Sequence, residues 1–205
     1  MAGLREIKKK NTKKAILEYA EKVFKEKGYK KVKTSEIAKG TNIAEGTLFN
    51  YFSSKGELFV EAVFRGFDMA RYEVCLPEKI DENIIVNELV NLIDFHIKKM
   101  ANVNKNLLKE YFSVVYSINN SEALGARKSL FSMDEIVMEE SRQLLSKLKK
   151  KYEQIKEFDV DIAVESIYSC VIFQFTKYTY SNEFYSDMLK NIGEQIKFII
   201  RGNML

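Results

Sequence analysis

Residues that interrupt helices are scarce in this chain. Its 205 residues include a single proline, Pro77, and nine glycines. No run of alternating apolar and polar residues bounded by turn signals argues for a sheet. Lys, Glu, Leu, Ile and Ala fill the space instead, so the expectation is an all-α protein. No apolar run reaches the roughly eighteen residues a membrane span needs, which predicts no membrane partner. Met1 to Lys14 is charged and lacks the apolar core of a signal peptide, so a cytoplasmic location is expected. Two cysteines, Cys75 and Cys170, stand far apart in helix-like apolar settings, and both are expected to be buried free thiols. His96 is the only histidine, which excludes a metal site built from several histidines. No nucleophile–base set, carboxylate pair, phosphate-binding glycine loop or metal constellation is visible, so neither an enzyme nor a cofactor is expected.

Charge is distributed unevenly. Residues 1–55 hold 14 Lys or Arg against 6 Asp or Glu, while the remainder holds 19 against 23. A basic head on an acidic body suits a head that binds a polyanion.

Apolar periodicity divides the chain into about nine helices. Ile16, Ala20, Val23 and Phe24 mark a first helix from about Lys13 to Lys27, closed by Gly28. Thr34 is placed to cap a short helix containing Ile37 and Ala38, with Glu36 in its first turn. Asn42, which tolerates the left-handed conformation, marks a turn. A second short helix follows from about Glu45 to Tyr51, with Leu48 and Phe52 inward. A longer helix is expected from Lys55 to about Cys75, ended by Pro77. Asp81 caps the next, to Met100, and another covers about Asn104 to Ile118. A long helix reaches about Tyr152, and the capping-box spacing of Ser132 and Glu135 marks a possible start or kink within it. Asp159 caps a helix from Val160 to Tyr180, and the last spans about Glu183 to Arg201.

Two short helices joined by a tight turn behind a supporting helix form a DNA-reading unit. The stretch AEKVFKEKGYKKVKTSEIAKGTNIAEGTLFNYFSSKGELF resembles the TetR family of regulators. The resemblance is carried by Gly28-Tyr29, Thr34, Ile37-Ala38, Gly46-Thr47-Leu48-Phe49, Tyr51-Phe52 and Lys55-Gly56-Glu57-Leu58. It covers about a quarter of the chain without a gap. It implies a helix-turn-helix domain over residues 1–54 and a helical ligand-binding and dimerisation domain over 55–205. It further implies phosphate contacts from Thr34, Thr47, Tyr51 and Lys55, and base-edge positions for Ser35, Glu45, Gly46, Phe49 and Asn50. Their chemistry agrees: hydroxyls and an ammonium suit phosphate oxygens, Asn reads adenine, and Phe touches a thymine methyl. Three residues depart from the family pattern. Asn42 replaces the turn glycine, Ala44 removes a helix cap, and Glu45 puts an acid at the start of the recognition helix. Such an acid repels phosphate and is suited to accept from a cytosine amino group.

The helix from Val160 to Tyr180 is apolar nearly all round, and the last helix carries a clear stripe. Val164, Ile167, Tyr168, Val171, Ile172, Phe175, Met188, Leu189, Ile192, Ile196 and Ile199 are therefore expected at a homodimer interface. Phe95, His96, Glu110, Tyr111, Phe112, Tyr116, Phe131 and Phe173 are candidate ligand residues. The resulting expectation is a repressor that leaves a palindromic double-stranded DNA operator when a small, mostly apolar inducer binds. The competing reading is a DNA-binding protein controlled by a protein partner, or an architectural one, with no small ligand.

Overall fold

The computed structural model describes residues 3–64, 71–117, 121–153 and 155–203, without the side chains of 121–122, 128–133 and 202–203. Among the described residues there are nine helices and no strand: α1 (Leu4–Lys27), α2 (Thr34–Gly40), α3 (Glu45–Phe49), α4 (Lys55–Val63), α5 (Glu82–Ala101), α6 (Lys105–Val115), α7 (Ser121–Lys151), α8 (Val160–Tyr180) and α9 (Tyr185–Asn203). The expected all-α class is thus observed. None of the described helices is long and apolar enough to cross a membrane.

The chain forms two compact units, one of Met1–Phe67 with Val103–Ser132, the other of Asp68–Asn102 with Met133–Leu205. The first unit extends beyond residue 54 because α4 packs on α1 and α6 on α4.

In the first unit the core is aromatic. Phe24 of α1 meets Phe59 of α4 edge-on, with ring centroids 5.0 Å apart, and Tyr29 lies 4.9 Å from Phe59. Phe64 continues the chain of rings to Tyr111 of α6 at 4.6 Å. Each fully buried ring contributes roughly 2–3 kcal/mol by removal from water. Ile16, Ala20, Ile37, Leu48 and Leu58 fill the gaps and are fully buried. The N-terminal start of α1 is earlier than its periodicity predicts. Its first turns bury nothing, and Leu4 and Ile7 remain exposed, so the apolar pattern could not reveal them.

The second unit is built mainly from aliphatic side chains, with Phe175, Tyr178 and Tyr185 as a smaller run of rings. Ile85, Leu89, Leu92 and Ile93 of α5, Val164, Ile167 and Val171 of α8, and Met188, Ile192, Ile196 and Ile200 of α9 are buried, with α9 packed on both α5 and α8. Asp81 accepts from the Ile84 amide at 2.8 Å, and Asp159 from the Asp161 and Ile162 amides at 2.9 and 3.1 Å, as their capping positions predict. Asn104 caps α6 through the Asn106 amide at 2.8 Å. The helix α7 runs continuously from Ser121 to Lys151, so the capping-box spacing at Ser132 does not mark a helix start.

The helix expected from Lys55 to Cys75 is much shorter. It ends at Val63; residues 65–70 lie outside the described part, and residues 71–80 carry no helix. The reason is visible in where the amides of this strap go. The Tyr72 N–H donates to Glu140 of α7 at 3.1 Å, and the Cys75 N–H to Glu88 of α5 at 3.2 Å. The carbonyls of Leu76 and Pro77 accept from Lys151 at 2.9 and 3.0 Å. Side chains thus replace the helical ladder, satisfying backbone groups that must pair somewhere. Cys75 sits on this strap and is exposed, and Cys170 is half-buried, so neither is the buried thiol expected from its apolar neighbours.

Candidate nucleic-acid interface

The helix-turn-helix lies wholly in the first unit. Gly28 ends α1 with φ 78°, a conformation that disfavours any side chain, and its amide donates to the Phe24 carbonyl at 2.8 Å. A Cβ at Gly28 would stand 3.1 Å from both carboxylate oxygens of Glu110. That carboxylate, from α6, accepts from the Tyr29 amide at 2.7 Å. Glu110 therefore anchors the turn between α1 and α2, and it is not a free polar group of a ligand pocket. Sequence spacing could not show this, since 81 residues separate the partners.

Lys33, rather than Thr34, occupies the N-cap position of α2, and no side chain caps that helix. Thr34 is the first helical residue. Its hydroxyl donates to Glu45 Oε1 at 2.5 Å, joining the first residue of α2 to the first of α3. Asn42 takes φ 55°, as its place in the turn requires, and the Ile43 amide bonds to the Ala38 carbonyl at 3.0 Å. Ala44 stands at the N-cap of α3 without a side-chain bond, as expected.

Leu48 is fully buried and Phe52 nearly so, which fixes the inner side of α3. Glu45, Gly46, Phe49 and Asn50 are exposed, and their i, i+1, i+4, i+5 spacing groups them on one helical face. Phe49 is 45% exposed, a large apolar ring held in water beside polar neighbours. A Cβ on Gly46 would meet nothing within 4 Å, so a flat surface can approach closely there. Ser35 is also exposed, while Thr34, Thr47, Tyr51 and Lys55 are half-buried along the flanks. The nine residues expected at DNA thus belong to one head, with the base-edge set outward.

Electrostatics supports the flanks. Lys55 starts α4, and its ammonium lies 4.3 Å from the centroid of the Tyr29 ring, within cation–π reach. Ser54 caps α4 by accepting from the Glu57 amide at 3.1 Å, and Glu57 accepts from the Ser53 amide at 2.6 Å. Lys13 is committed to Glu61 at 2.8 Å and to the Phe52 ring at 5.1 Å, so this member of the basic cluster serves the head itself. Lys8, Lys9 and Lys10 remain exposed on the first turns of α1. Lys8 also lines an open groove of about 570 Å³ between α1 and the turn residues Thr41 and Ile43.

The candidate ligand residues are not brought together in the same way. Glu110, Tyr111, Phe112 and Tyr116 belong to the first unit, and Phe95, His96 and Phe173 to the second. Phe131 lies outside the described side chains. Tyr111 and Phe112 are core rings, 5.4 Å apart, whereas Phe95, Tyr116 and Phe173 are 42%, 57% and 61% exposed. His96 is buried against Glu140, Nε2 to Oε2 at 2.8 Å, and Glu140 is the carboxylate that also holds Tyr72. Aromatic type alone could not separate core, surface and pocket. Among the described residues no cluster of His, Cys, Asp and Glu could hold a metal ion.

The expected dimer stripe divides as well. Val164, Ile167, Val171, Phe175, Met188, Ile192 and Ile196 are buried within the chain's own core. Tyr168, Ile172, Leu189 and Ile199 are half-buried. The apolar residues left outward on α8 are instead Ile162, Phe173 and Tyr180, with Phe184 beyond its end and Phe198 on α9. An all-round apolar helix does not reveal which side its own subunit covers.

Comparison with known proteins agrees with this geometry. Residues 16–62 match the model of bacterial regulatory proteins of the TetR family. The chain is 26% identical to the uncharacterised HTH-type transcriptional regulator YhgD of Bacillus subtilis, over 80% of this chain and 84% of that one. A TetR transcriptional regulator from Agrobacterium tumefaciens superposes with a TM-score of 0.65 at 13% identity, covering 95% of each chain. NalD of Pseudomonas aeruginosa, the secondary repressor of the MexAB-OprM multidrug efflux pump, superposes with a TM-score of 0.56 at 16% identity, covering 96% of this chain and 97% of its own. An exposed face on a basic three-helix head thus accompanies the match of residues 16–62 to the TetR-family model, and the chain is similar to TetR-type transcriptional regulators over most of its length.

Proposed function

We propose that this regulator is a homodimeric repressor that grips a near-palindromic operator and is released by a small, mostly apolar inducer. The observation that carries the DNA part is the outward face of α3, where Glu45, Gly46, Phe49 and Asn50 stand together. In this reading α3 enters the major groove. Thr34, Thr47, Tyr51 and Lys55 hold phosphates, and Ser35, Glu45, Gly46, Phe49 and Asn50 meet base edges. Residues 1–54 act as the DNA-binding part and 55–205 as the dimerising and ligand-responsive part. Repression follows the role stated for NalD.

Two-fold symmetry sets the recognition helices about 34 Å apart, one turn of DNA. The dimer face is the outward stripe of Ile162, Phe173 and Tyr180 with Phe198, large apolar side chains that water otherwise surrounds. Phe173→Asp is expected to give a monomer by analytical ultracentrifugation while leaving the helical content intact. A dimer that survives the substitution would move the interface elsewhere.

The direct experiment is a DNA-binding titration at several salt concentrations. Six to ten phosphate contacts predict a loss of about 10³–10⁵ in affinity between 50 and 200 mM salt. A shallow dependence would sink the reading. The inducer must bind the DNA-releasing arrangement more tightly than the DNA-gripping one. A screen of apolar and amphipathic compounds against the DNA complex tests that part, and no response in a broad screen would favour control by a protein partner.

A further inference from the structure

Glu45 has a place that the general docking geometry leaves unexplained. A carboxylate at the start of the recognition helix faces the same polyanion that the head must grip. In the free chain it is occupied: Oε1 accepts the Thr34 hydroxyl at 2.5 Å, across eleven residues of sequence. Thr34 has one O–H proton to donate. That proton cannot serve Glu45 and a phosphate oxygen together. Neither helix carries a side-chain cap, so Glu45 is not held by the cap of α3 nor Thr34 by that of α2.

We propose that Glu45 latches Thr34 and makes the phosphate grip conditional on the base that Glu45 meets. The inference rests on the DNA-contact assignment above. When Thr34 turns to a phosphate, the released carboxylate faces the groove with an acceptor and no donor. A cytosine N4 amino group supplies that donor. A guanine O6 or a thymine O4 presents another acceptor, so the carboxylate is repelled and holds Thr34 back. Gly46, open on its Cβ side, lets the base edge reach this point. One residue thereby couples a sequence-blind contact to a sequence-reading one. A wrong base then costs the base contact and the phosphate contact together.

The test starts from selection of randomised duplexes by the full-length chain, its E45A variant and its T34V variant. All these side chains lie outside the core, and circular dichroism checks that the head stays folded. The wild type is expected to select one cytosine column in each half-site, with about tenfold discrimination against thymine there. E45A is expected to lose the preference in that column alone. Anisotropy on the matched duplex and on its cytosine-to-thymine counterpart then reads the coupling. T34V is expected to weaken the matched duplex several-fold and to leave the mismatched one nearly unchanged, since Glu45 withholds Thr34 there. In the E45A background T34V should weaken both duplexes equally. Equal weakening of both duplexes by T34V in the wild-type background overturns the latch. So does an unchanged selected sequence in E45A. If the wild type selects no motif and binds without steep salt dependence, the DNA reading itself fails. A selected motif with steep salt dependence but no Glu45 column removes only the latch.

Discussion

The two compact units solve one problem with the same device and differ in the balance of rings and aliphatic side chains around it. Each must hold a stretch of backbone that is not helical. In the first, Glu110 reaches from α6 to the Tyr29 amide; in the second, Glu140 of α7 and Glu88 of α5 reach the amides of Tyr72 and Cys75. A carboxylate bonded to a backbone N–H is among the stronger neutral-to-charged hydrogen bonds. Around it, the first unit packs a run of rings through Tyr29, Phe24, Phe59, Phe64 and Tyr111, whereas the second packs mainly branched aliphatic side chains beside a shorter run of Phe175, Tyr178 and Tyr185. The difference teaches where local signals suffice. Gly28 advertises the turn that Glu110 holds, whereas residues 71–80 offer only Pro77 as a warning that their amides leave the helical ladder.

The largest effect expected on this comparison comes from the ring chain. Phe59→Ala removes a fully buried ring that touches Phe24, Tyr29 and Phe64, and should destabilise the first unit by about 3–5 kcal/mol. Denaturant unfolding followed by tyrosine fluorescence and by circular dichroism checks it. Non-coincident transitions would mean that the two units unfold separately; a single shared transition would bind their stabilities together.

A second substitution addresses the other unit through pH. Burial pushes the Asp134 carboxyl up to about 6, against a hydrogen bond with Tyr168 that favours the ionised form. The folded state thus holds the proton more tightly than the unfolded state, whose ordinary value is 3.8. Stability is untouched by this group below the unfolded value, falls as pH rises toward 6, and carries a constant cost above it. Asp134→Asn should therefore stabilise the chain at pH 7.5 by up to about 3 kcal/mol, and the gain should vanish near pH 3.5. Equal gains at both pH values would show that ionisation is not the cause.

Removing the anchor of the first unit has a smaller effect. Glu110→Ala leaves the Tyr29 amide without its acceptor and should cost about 1.5–3 kcal/mol. Glu110→Gln keeps an acceptor oxygen and should recover part of that loss; identical melting of the two variants would deny the bond its role. Lys55→Ala should change folding least, by about 0.5–1 kcal/mol from the lost contact with Tyr29. Its signature is in DNA binding, where the salt slope should fall by about 0.9 per head. An unchanged slope would remove Lys55 from the phosphate contacts.

The same contrast explains how much was legible beforehand. The helix-turn-helix could be placed to within a few residues, because the Gly28 stop, the Asn42 turn and the inward Leu48 and Phe52 act within a few positions of each other, while the cap read at Thr34 falls on Lys33. Ala44 without a cap and Asn42 at positive φ appear as read. The body misled where a pattern had two physical meanings. Val164, Ile167 and Ile192 satisfy a dimer stripe and a subunit core equally well by periodicity, and only their burial, with α8 packed on α9 and α9 on α5, assigns them to the core. Phe95, Tyr116 and Phe173 have the composition of a pocket lining but lie exposed.

By itself the sequence determined the helical class, the basic head, the helix-turn-helix and its resemblance to the TetR family, since each depends on charge, periodicity and short-range turn signals. Only the tertiary structure decided that Glu110 belongs to the head, that residues 71–80 run as a strap, and that Thr34 is held by Glu45. Those three facts are side-chain hydrogen bonds spanning 81, 68 and 11 residues, and no local propensity encodes which distant carboxylate will satisfy a given donor.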